Sequence, residues 1–266
     1  MTMSRVIVAM MLMFMIGSRP AIAQTTDSLV QPKPDSVRNW YSGHVLSRPQ
    51  FRPVAFVIPA VLVGYGFLAV HDQGALRQLD LSTRAEIQED HPRFAAHVDD
   101  YLQIVPAAAV FALNLSGVPG KHNLFDASFL YLTATAIMST STHFVKNGVG
   151  RLRPDESGSN SFPSGHTASA FMAAEFLHQE FKDADPWISL SGYFVASATG
   201  TLRLYNNKHW FSDVVAGAGF GIASTKISYL VYPNIKSLFK PAHQKNFVLL
   251  PFRQQGASGL LFSGRF

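Results

Sequence analysis

Six apolar segments, separated by shorter polar stretches, occupy the middle of this 266-residue chain. Their length and composition predict six helices. The segments cover residues 54–70, 102–115, 127–145, 167–177, 187–202 and 214–232. The first is the most membrane-like because it has seventeen residues without a charged side chain, whereas the second is shorter and the third is diluted by Thr and Ser. In the last, Gly217 and Gly221 form a face of small residues that favours close helix packing.

A different pattern lies between the first two segments. Over residues 78–100, apolar side chains recur among charged ones at helix-like intervals. This spacing predicts an amphipathic helix on the surface, interrupted at Pro92. Residues 54–240 are therefore interpreted as one all-α domain, a bundle of about six apolar helices.

The two ends of the chain differ from the domain between them. Arg5 precedes a short apolar run, and Ala21-Ile22-Ala23 has the spacing of a cleavage site, so residues 1–23 are predicted to be a secretory signal peptide. An uncleaved anchor is the alternative. Residues 24–53 are polar and contain prolines, which indicates an irregular arm. Residues 241–266 predict a short β-hairpin, either packed on the helices or resembling terminal strands of outer-membrane barrels.

Composition narrows the range of ligands. The chain carries a formal net charge of +5 and has no cysteine. A basic balance suits an anionic substrate or an anionic membrane surface. The sequence contains no nucleic-acid-binding motif, and no cluster of His, Asp and Glu has the spacing of metal ligands. We therefore expect no metal site, no nucleic acid and no obligate protein partner.

Three polar patches lie at ends of the predicted helices, and in an up-down bundle these ends meet on one side. The patches comprise Lys146 with Arg153; Ser164, Gly165 and His166; and Arg203, His209 and Asp213. Lysine and arginine can hold the charges of a phosphoryl group, while Gly165 and the following amides suit an anion at a helix N-terminus. Each patch also has a purely structural alternative. Lys146 and Arg153 could be charges that flank a membrane segment, and Ser164 and Asp213 could be helix caps.

The two histidines in these patches suggest nucleophilic chemistry. A neutral imidazole can attack phosphorus, provided that its other nitrogen is held in one tautomer. His209 and Asp213 are four residues apart, so on a helix the carboxylate can reach the ring. His166 is then free to protonate the leaving oxygen.

Lys146-x6-Arg153-Pro154, Pro163-Ser164-Gly165-His166 and Arg203-x5-His209-x3-Asp213 together resemble the three-part signature of the type 2 phosphatidic acid phosphatases. Their superfamily, PAP2, also includes bacterial class A acid phosphatases and vanadium haloperoxidases. The resemblance implies an all-helical core and phosphohistidine chemistry without a metal or other cofactor. It implies that His209 is the nucleophile, Asp213 its orienting carboxylate and His166 the acid, and that the phosphate is cradled by Lys146, Arg153, Ser164, Gly165 and Arg203. Leu202 departs from the family pattern, which has serine there.

The leading hypothesis is a phosphatase of the bacterial cell envelope that acts on a lipid phosphate. Candidate substrates are phosphatidic acid, phosphatidylglycerophosphate, an isoprenyl diphosphate and lipid A. The alternatives are a non-specific periplasmic acid phosphatase, a vanadate haloperoxidase and a non-catalytic lipid-phosphate binder. Counting six crossings after a cleaved signal peptide puts the site inside the cell, whereas basic residues flanking the first and last segments put it outside. We favour a site that faces the periplasm, on a domain either integrated in or lying on the membrane.

Overall fold

The computed structural model describes residues 51–238, 247–254 and 257–264, with side chains over residues 51–237. The predicted signal peptide, residues 1–23, lies outside the described residues, as does all but the end of the predicted arm, residues 24–53.

Helices account for most of residues 51–238. After a 3-10 turn at Pro53–Phe56, this region contains eight α-helices: α1 Val57–His71, α2 Ala75–Asp90, α3 Asp99–Leu102, α4 Val105–Leu115, α5 Leu124–Val149, α6 Gly165–Phe181, α7 Pro186–Tyr205 and α8 Phe211–Leu238. The all-α prediction is confirmed. Each of the six apolar segments forms a helix, and most of these helices extend several residues beyond the apolar run.

Polar residues outside the apolar runs explain these longer helices. Asn123 begins α5 by accepting a hydrogen bond from the amide of Asp126, and Gly150 ends it in the left-handed conformation, with φ of 60°. Asp185 caps α7 by accepting from the amides of Trp187 and Ile188. Capping side chains bind the first free amides of a helix, so helices begin at polar positions that hydrophobicity alone does not mark.

The predicted amphipathic helix over residues 78–100 is instead two helices. The first, α2, ends at Asp90, and α3 is a separate single turn that begins at Asp99. Pro92 explains the break because it disfavours helical backbone at the preceding His91, which adopts φ of −134° and ψ of 57°. The interruption at Pro92 was predicted, but the separate turn α3 was not.

Helix α6 lies at the centre of the bundle. Its side chains Phe176, Leu177 and Phe181 are buried in the largest apolar cluster. Helix α8 packs closely against it: a Cβ atom on Gly217 would lie 2.6 Å from the carbonyl oxygen of Ser164, and one on Gly221 would lie 2.3 Å from that of Ala168. The predicted small-residue face of α8 is thus confirmed, and it brings two backbones into direct contact.

The C-terminal region forms a two-stranded antiparallel hairpin. Strand β1, Phe247–Gln254, pairs with strand β2, Ala257–Gly264. Phe247 lies opposite Gly264, and Gln254 lies opposite Ala257 at the turn. The predicted hairpin is therefore present.

Among the described residues, two helical stretches are long and apolar enough to cross a membrane. They are Pro53–His71, with a mean hydropathy of 2.2, and Phe211–Ser237, with a mean hydropathy of 1.4. Large apolar side chains are also exposed on several helices, including Ile58, Phe144 and Phe194. Side chains of this kind are available for contact with a membrane or another protein.

The contact between α6 and α8 predicts a position-specific effect of adding one methyl group. Gly221→Ala forces the two backbones apart, so we expect it to lower the free energy of unfolding by about 1–3 kcal/mol. Gly64→Ala on α1 is the matched control because its Cβ atom meets no described atom within 4 Å. It should be neutral or stabilise α1 by up to about 1 kcal/mol. Thermal unfolding of both variants in detergent measures this, and equal midpoints would contradict the packing.

Candidate active site

The ends of four helices bring the sequence-predicted residues together. Lys146 lies in the last turn of α5, Arg203 in the last turn of α7 and Asp213 in the first turn of α8. Ser164 caps the N-terminus of α6. Two short contacts join these ends: the ammonium of Lys146 donates to the carbonyl oxygen of Pro163 at 2.6 Å, and the Ser164 amide donates to that of Asp213 at 3.0 Å.

Two of the predicted cations are tethered to the loop between α5 and α6. Besides Pro163, Lys146 donates to the carbonyl oxygen of Asn160 at 2.8 Å. Arg153 Nε donates to the side-chain oxygen of the same Asn160 at 2.9 Å. Burial lowers the pKa of Lys146 to about 8, and the neighbouring charge of Arg153 adds to this effect. Crowded positive charges disfavour one another, which is the situation that a bound anion relieves.

The third cation, Arg203, has an unused donor. Its guanidinium is buried, and Nη1 donates to Asp99 Oδ2 at 2.6 Å. Its Nε–H is buried and has no hydrogen-bond partner among the described residues. A buried donor without an acceptor costs free energy, so its presence in a folded protein needs an explanation, such as a bound ion or a catalytic role. An oxygen atom of a bound oxyanion would satisfy it.

His209 is buried and held in one orientation. Its Nδ1 lies 2.8 Å from the carbonyl oxygen of Ser161 and 3.7 Å from Asp213 Oδ2. Because a carbonyl only accepts, Nδ1 carries the proton and Nε2 keeps its lone pair. The hydrogen bond that sequence spacing suggested for Asp213 thus goes to the backbone of Ser161. Burial lowers the pKa of His209 to about 4, opposed by Asp213 and reinforced by Arg203 and Lys146, so the ring is neutral near pH 7.

Asp213 is fully buried, and both of its carboxylate oxygens are engaged. Oδ2 accepts from Ser161 Oγ at 2.5 Å and from the Trp210 amide at 2.9 Å. Oδ1 accepts from Arg151 Nη1 at 2.5 Å. Asp213 therefore links the loop before α6, the turn before α8 and Arg151, while its negative charge lies next to His209.

His166 lies at the more open side of the site. Its Nε2 is 2.8 Å from Asp100 Oδ1, and about one third of the side chain is exposed. Burial lowers the pKa of His166 below its ordinary value; the charge of Arg203 acts in the same direction and Asp100 opposes both. Sequence reasoning missed Asp99 and Asp100, because both lie on the single turn α3, far away in the chain.

Asp99, Asp100 and His166 also place three possible ligand atoms within 4.8 Å of one another. Sequence spacing gave no hint of this grouping. The two carboxylates already have partners, since Asp99 pairs with Arg203 and Asp100 pairs with His166. The charge of Asp99 is therefore balanced by Arg203, and Asp100 is hydrogen-bonded to His166.

The remaining predicted residues, Ser164 and Gly165, form the start of α6. Ser164 Oγ lies 2.9 Å from Thr167 Oγ1 and 3.4 Å from the Thr167 amide, so the hydroxyl acts as a helix cap. A Cβ atom on Gly165 would lie 3.9 Å from Lys146 Cε. The α6 N-terminus therefore lies beside the cationic group of Lys146, and its dipole adds to the positive potential there.

Arg151 and Asp80 also belong to this region and were missed. Arg151 lies two residues before the predicted Arg153, and it connects Asp213 to Asp80 on α2. Its position in the polar loop was the one signal available. In the sequence, Asp80 is one of several charged residues on a predicted amphipathic helix, so only the fold reveals that it is buried.

Comparison with known proteins places these residues in a family context. Residues 127–237 match the model of the PAP2 superfamily. A lipid A 1-phosphatase from Porphyromonas gingivalis is 38% identical over 139 residues, which are 52% of this chain and 31% of that protein. A probable diacylglycerol pyrophosphate phosphatase from Schizosaccharomyces pombe is 28% identical over 245 residues, covering 73% of this chain and 83% of that protein. The chain thus spans less than a third of its Porphyromonas relative.

The chain also matches a solved structure. That structure is of a transmembrane PAP2 type phosphatidylglycerolphosphate phosphatase from Bacillus subtilis, with 17% sequence identity and a TM-score of 0.43. The match covers 70% of this chain and 99% of that one.

The unused donor of Arg203 predicts a specific loss of anion binding. Arg203→Met removes a charge-assisted hydrogen bond, so we expect inorganic phosphate to bind at least about tenfold more weakly. Lys182→Met is the matched control, because it removes one positive charge at the opposite end of α6. Isothermal titration calorimetry with inorganic phosphate measures both. Similar affinities for the two variants would show that Arg203 does not bind the anion.

Proposed function

The chain belongs to the PAP2 superfamily through residues 127–237, and we propose that it is a phosphatase that hydrolyses a lipid phosphate with His209 as the nucleophile. The observation that carries this proposal is the pairing of a neutral, oriented imidazole with an unused buried donor. His209 Nε2 keeps its lone pair because Nδ1 donates to Ser161, and Arg203 Nε lacks an acceptor among the described residues. Together they suit the phosphorus and an oxygen of one phosphoryl group.

In the first proposed step, His209 Nε2 attacks phosphorus and the bond from phosphorus to the leaving oxygen breaks. Protonated His166 gives its proton to that oxygen, so the alcohol leaves neutral. The imidazole of His209 gains positive charge, which the buried carboxylate of Asp213 stabilises. Lys146, Arg153 and Arg203 hold the phosphoryl oxygens while charge shifts toward the leaving group.

In the second proposed step, water attacks the phosphorus of the phosphohistidine. His166, now neutral, takes a proton from this water, and the bond between phosphorus and Nε2 breaks. Inorganic phosphate leaves, and His209 returns to its neutral form with the proton still on Nδ1. Three cationic side chains supply the charge stabilisation throughout, so we expect turnover to be insensitive to EDTA.

The proposed substrate is a lipid whose phosphate lies at the membrane boundary, and a glycolipid phosphate of the lipid A class is our first choice. Support comes from the Porphyromonas relative, which is a lipid A 1-phosphatase, and from the exposed apolar side chains of the helices. We also propose a location in the cell envelope with the site facing the periplasm. Basic residues at one end of each helix, such as Arg52 before α1 and Lys236 in the last turn of α8, favour that orientation.

The first test is phosphate release, in EDTA, from lipid and soluble phosphomonoesters with and without detergent. We expect lipid phosphates to be preferred and His209→Ala to lower kcat by about a thousandfold or more. His143→Ala removes an exposed histidine from α5 and serves as the control. Equal turnover of soluble esters would indicate an acid phosphatase. Halide oxidation with added vanadate would indicate a haloperoxidase, and no turnover at all would indicate a binding protein.

A second test concerns the proton donor. An alkoxide leaving group needs a proton from His166, whereas nitrophenolate does not, so the ratio of kcat/KM for hexyl phosphate over nitrophenyl phosphate reports its protonation. The pKa of His166 is lowered from 6.5, mainly by burial, so the ratio should fall as pH rises through a value below 6.5. His166→Asn corrects for substrate ionisation and should give no such fall. A ratio with the same pH dependence in both proteins would exclude His166 as the acid.

A further inference from the structure

A buried carboxylate outside the family-matched region contacts the site. Asp80 on α2 is 1% exposed. Its Oδ1 accepts from the Ser212 amide at 2.9 Å, and its Oδ2 accepts from Ser212 Oγ at 2.7 Å and from Arg151 Nη2 at 2.6 Å. Asp80 thus binds the first turn of α8 and Arg151 at once, although it lies some 130 residues away from Ser212 in the chain.

Arg151 joins Asp80 to the proposed catalytic carboxylate. While Nη2 donates to Asp80, Nη1 donates to Asp213 Oδ1 at 2.5 Å and to Ser212 Oγ at 2.7 Å. The side chain is 8% exposed, and its guanidinium lies 5.5 Å from the centre of the Trp210 ring. One planar cation therefore bridges two buried carboxylates, a geometry that its rigid fork of donors suits and that lysine would not reproduce.

We propose that Arg151 and Asp80 are positioning residues that set the orientation and effective charge of Asp213 beside His209. This inference rests on the proposed function. Both residues act on Asp213, which in turn acts on the nucleophile. Helix α2 is thereby part of the working site, although it lies outside residues 127–237.

The orientation of the Asp213 carboxylate is set by its hydrogen bonds. Arg151 holds Oδ1, while Ser161 Oγ and the Trp210 amide hold Oδ2. Without Arg151, the carboxylate can rotate and accept the hydrogen bond from His209 Nδ1. It would then replace the Ser161 carbonyl, which accepts that hydrogen bond in the present structure. The bridge therefore keeps the imidazole hydrogen-bonded to a neutral acceptor.

The effective charge beside His209 is the sum of the charges of the three bridged side chains. Asp80, Arg151 and Asp213 together carry one net negative charge, which remains available when the His209 ring becomes positive. On its other side, His209 faces the positive charges of Arg203 and Lys146. Asp80 and His209 also line the same small cavity. Removing Arg151 leaves two uncompensated carboxylates near His209, whereas removing Asp80 leaves Asp213 neutralised by Arg151.

A purely structural role, in which Asp80 and Arg151 only fasten α2 to α8, makes a different prediction. Loss of either residue would then lower the midpoint of thermal unfolding. The pKa of His209 would not move in the direction that the sign of the lost charge dictates. The positioning role requires charge-dependent shifts of opposite sign. The pKa of His209 itself separates the two cases, because it is measured on folded protein and needs no turnover.

The experiment is NMR titration of histidine-labelled protein in detergent, with His209→Ala used to assign the resonance. In wild-type protein, we expect His209 to stay neutral down to pH 5. Arg151→Met removes a positive charge and favours the imidazolium, so the titration should move upward by about one pH unit or more. Adding Asp80→Asn to Arg151→Met removes a negative charge, so the titration should move back down.

Two controls accompany this titration. Arg77→Met removes the same charge from α2, where Arg77 stacks over Trp210 at 4.6 Å, and should move the titration by less than half as much as Arg151→Met. Arg151→Lys keeps the charge and tests the case in which Arg151→Met does not fold. It should leave His209 neutral down to pH 5 and lower kcat, because one of the two forked contacts is lost.

The outcomes separate this inference from the proposed function. Opposite shifts for the two substitutions support the bridge as a positioning device. Overlapping titrations in all folded variants, or shifts of one sign, would overturn it. Neither result depends on catalysis: a bridge that shifts His209 in a protein that releases no phosphate would contradict the proposed function alone.

Discussion

Burial of the Asp213 carboxylate is the constraint on which the rest of the site depends. An anion removed from water is tolerated only when donors and a cation surround it. Ser161, Trp210 and Arg151 supply them from two different loops. Because these loops join α5 to α6 and α7 to α8, satisfying one carboxylate draws four helix ends together. The convergence of the polar patches is thus a physical requirement of Asp213 as well as a consequence of helix order.

Glycines in α8 make that convergence sterically possible. Asp213 lies one turn before Gly217, and Gly217 allows α8 to touch the Ser164 carbonyl at the start of α6. The helix that carries Asp213 and the helix that carries His166 are therefore in contact along their backbones. A larger residue at this position would separate them and lengthen the contacts of Asp213.

Much of this arrangement was predictable from the sequence, and the part that was not has a common cause. Apolar runs predicted the six long helices, and the spacing of Lys146, His166 and Arg203 at their ends predicted one shared face. Asp80 and Asp99 could not be found in this way. Each lies on a short or amphipathic helix where a charged residue is ordinary, and each becomes part of the site only because tertiary packing buries it against an arginine. Hydrophobic periodicity carries no information about such pairings.

The tautomer of His209 shows the same limit on a smaller scale. The spacing of four residues correctly placed Asp213 near the ring, but the Nδ1–H group donates its hydrogen bond to the Ser161 carbonyl. Backbone acceptors have no signature in a sequence, because every residue carries one. The carboxylate instead acts at 3.7 Å as a charge, and the carbonyl determines the orientation.

His209 has a negative charge on one side and positive charges on the other, and this arrangement links the basicity of the ring to substrate binding. Burial lowers the pKa of His209 to about 4, and the charges of Arg203 and Lys146 add to this effect, so the resting ring is neutral and weakly basic. A phosphate monoester brings nearly two negative charges to these cations and cancels their effect. The basicity of His209 then rises while Asp213 is still in place to stabilise the positive ring. In the proposed reaction, the bound substrate thus raises the basicity of the nucleophile that attacks it.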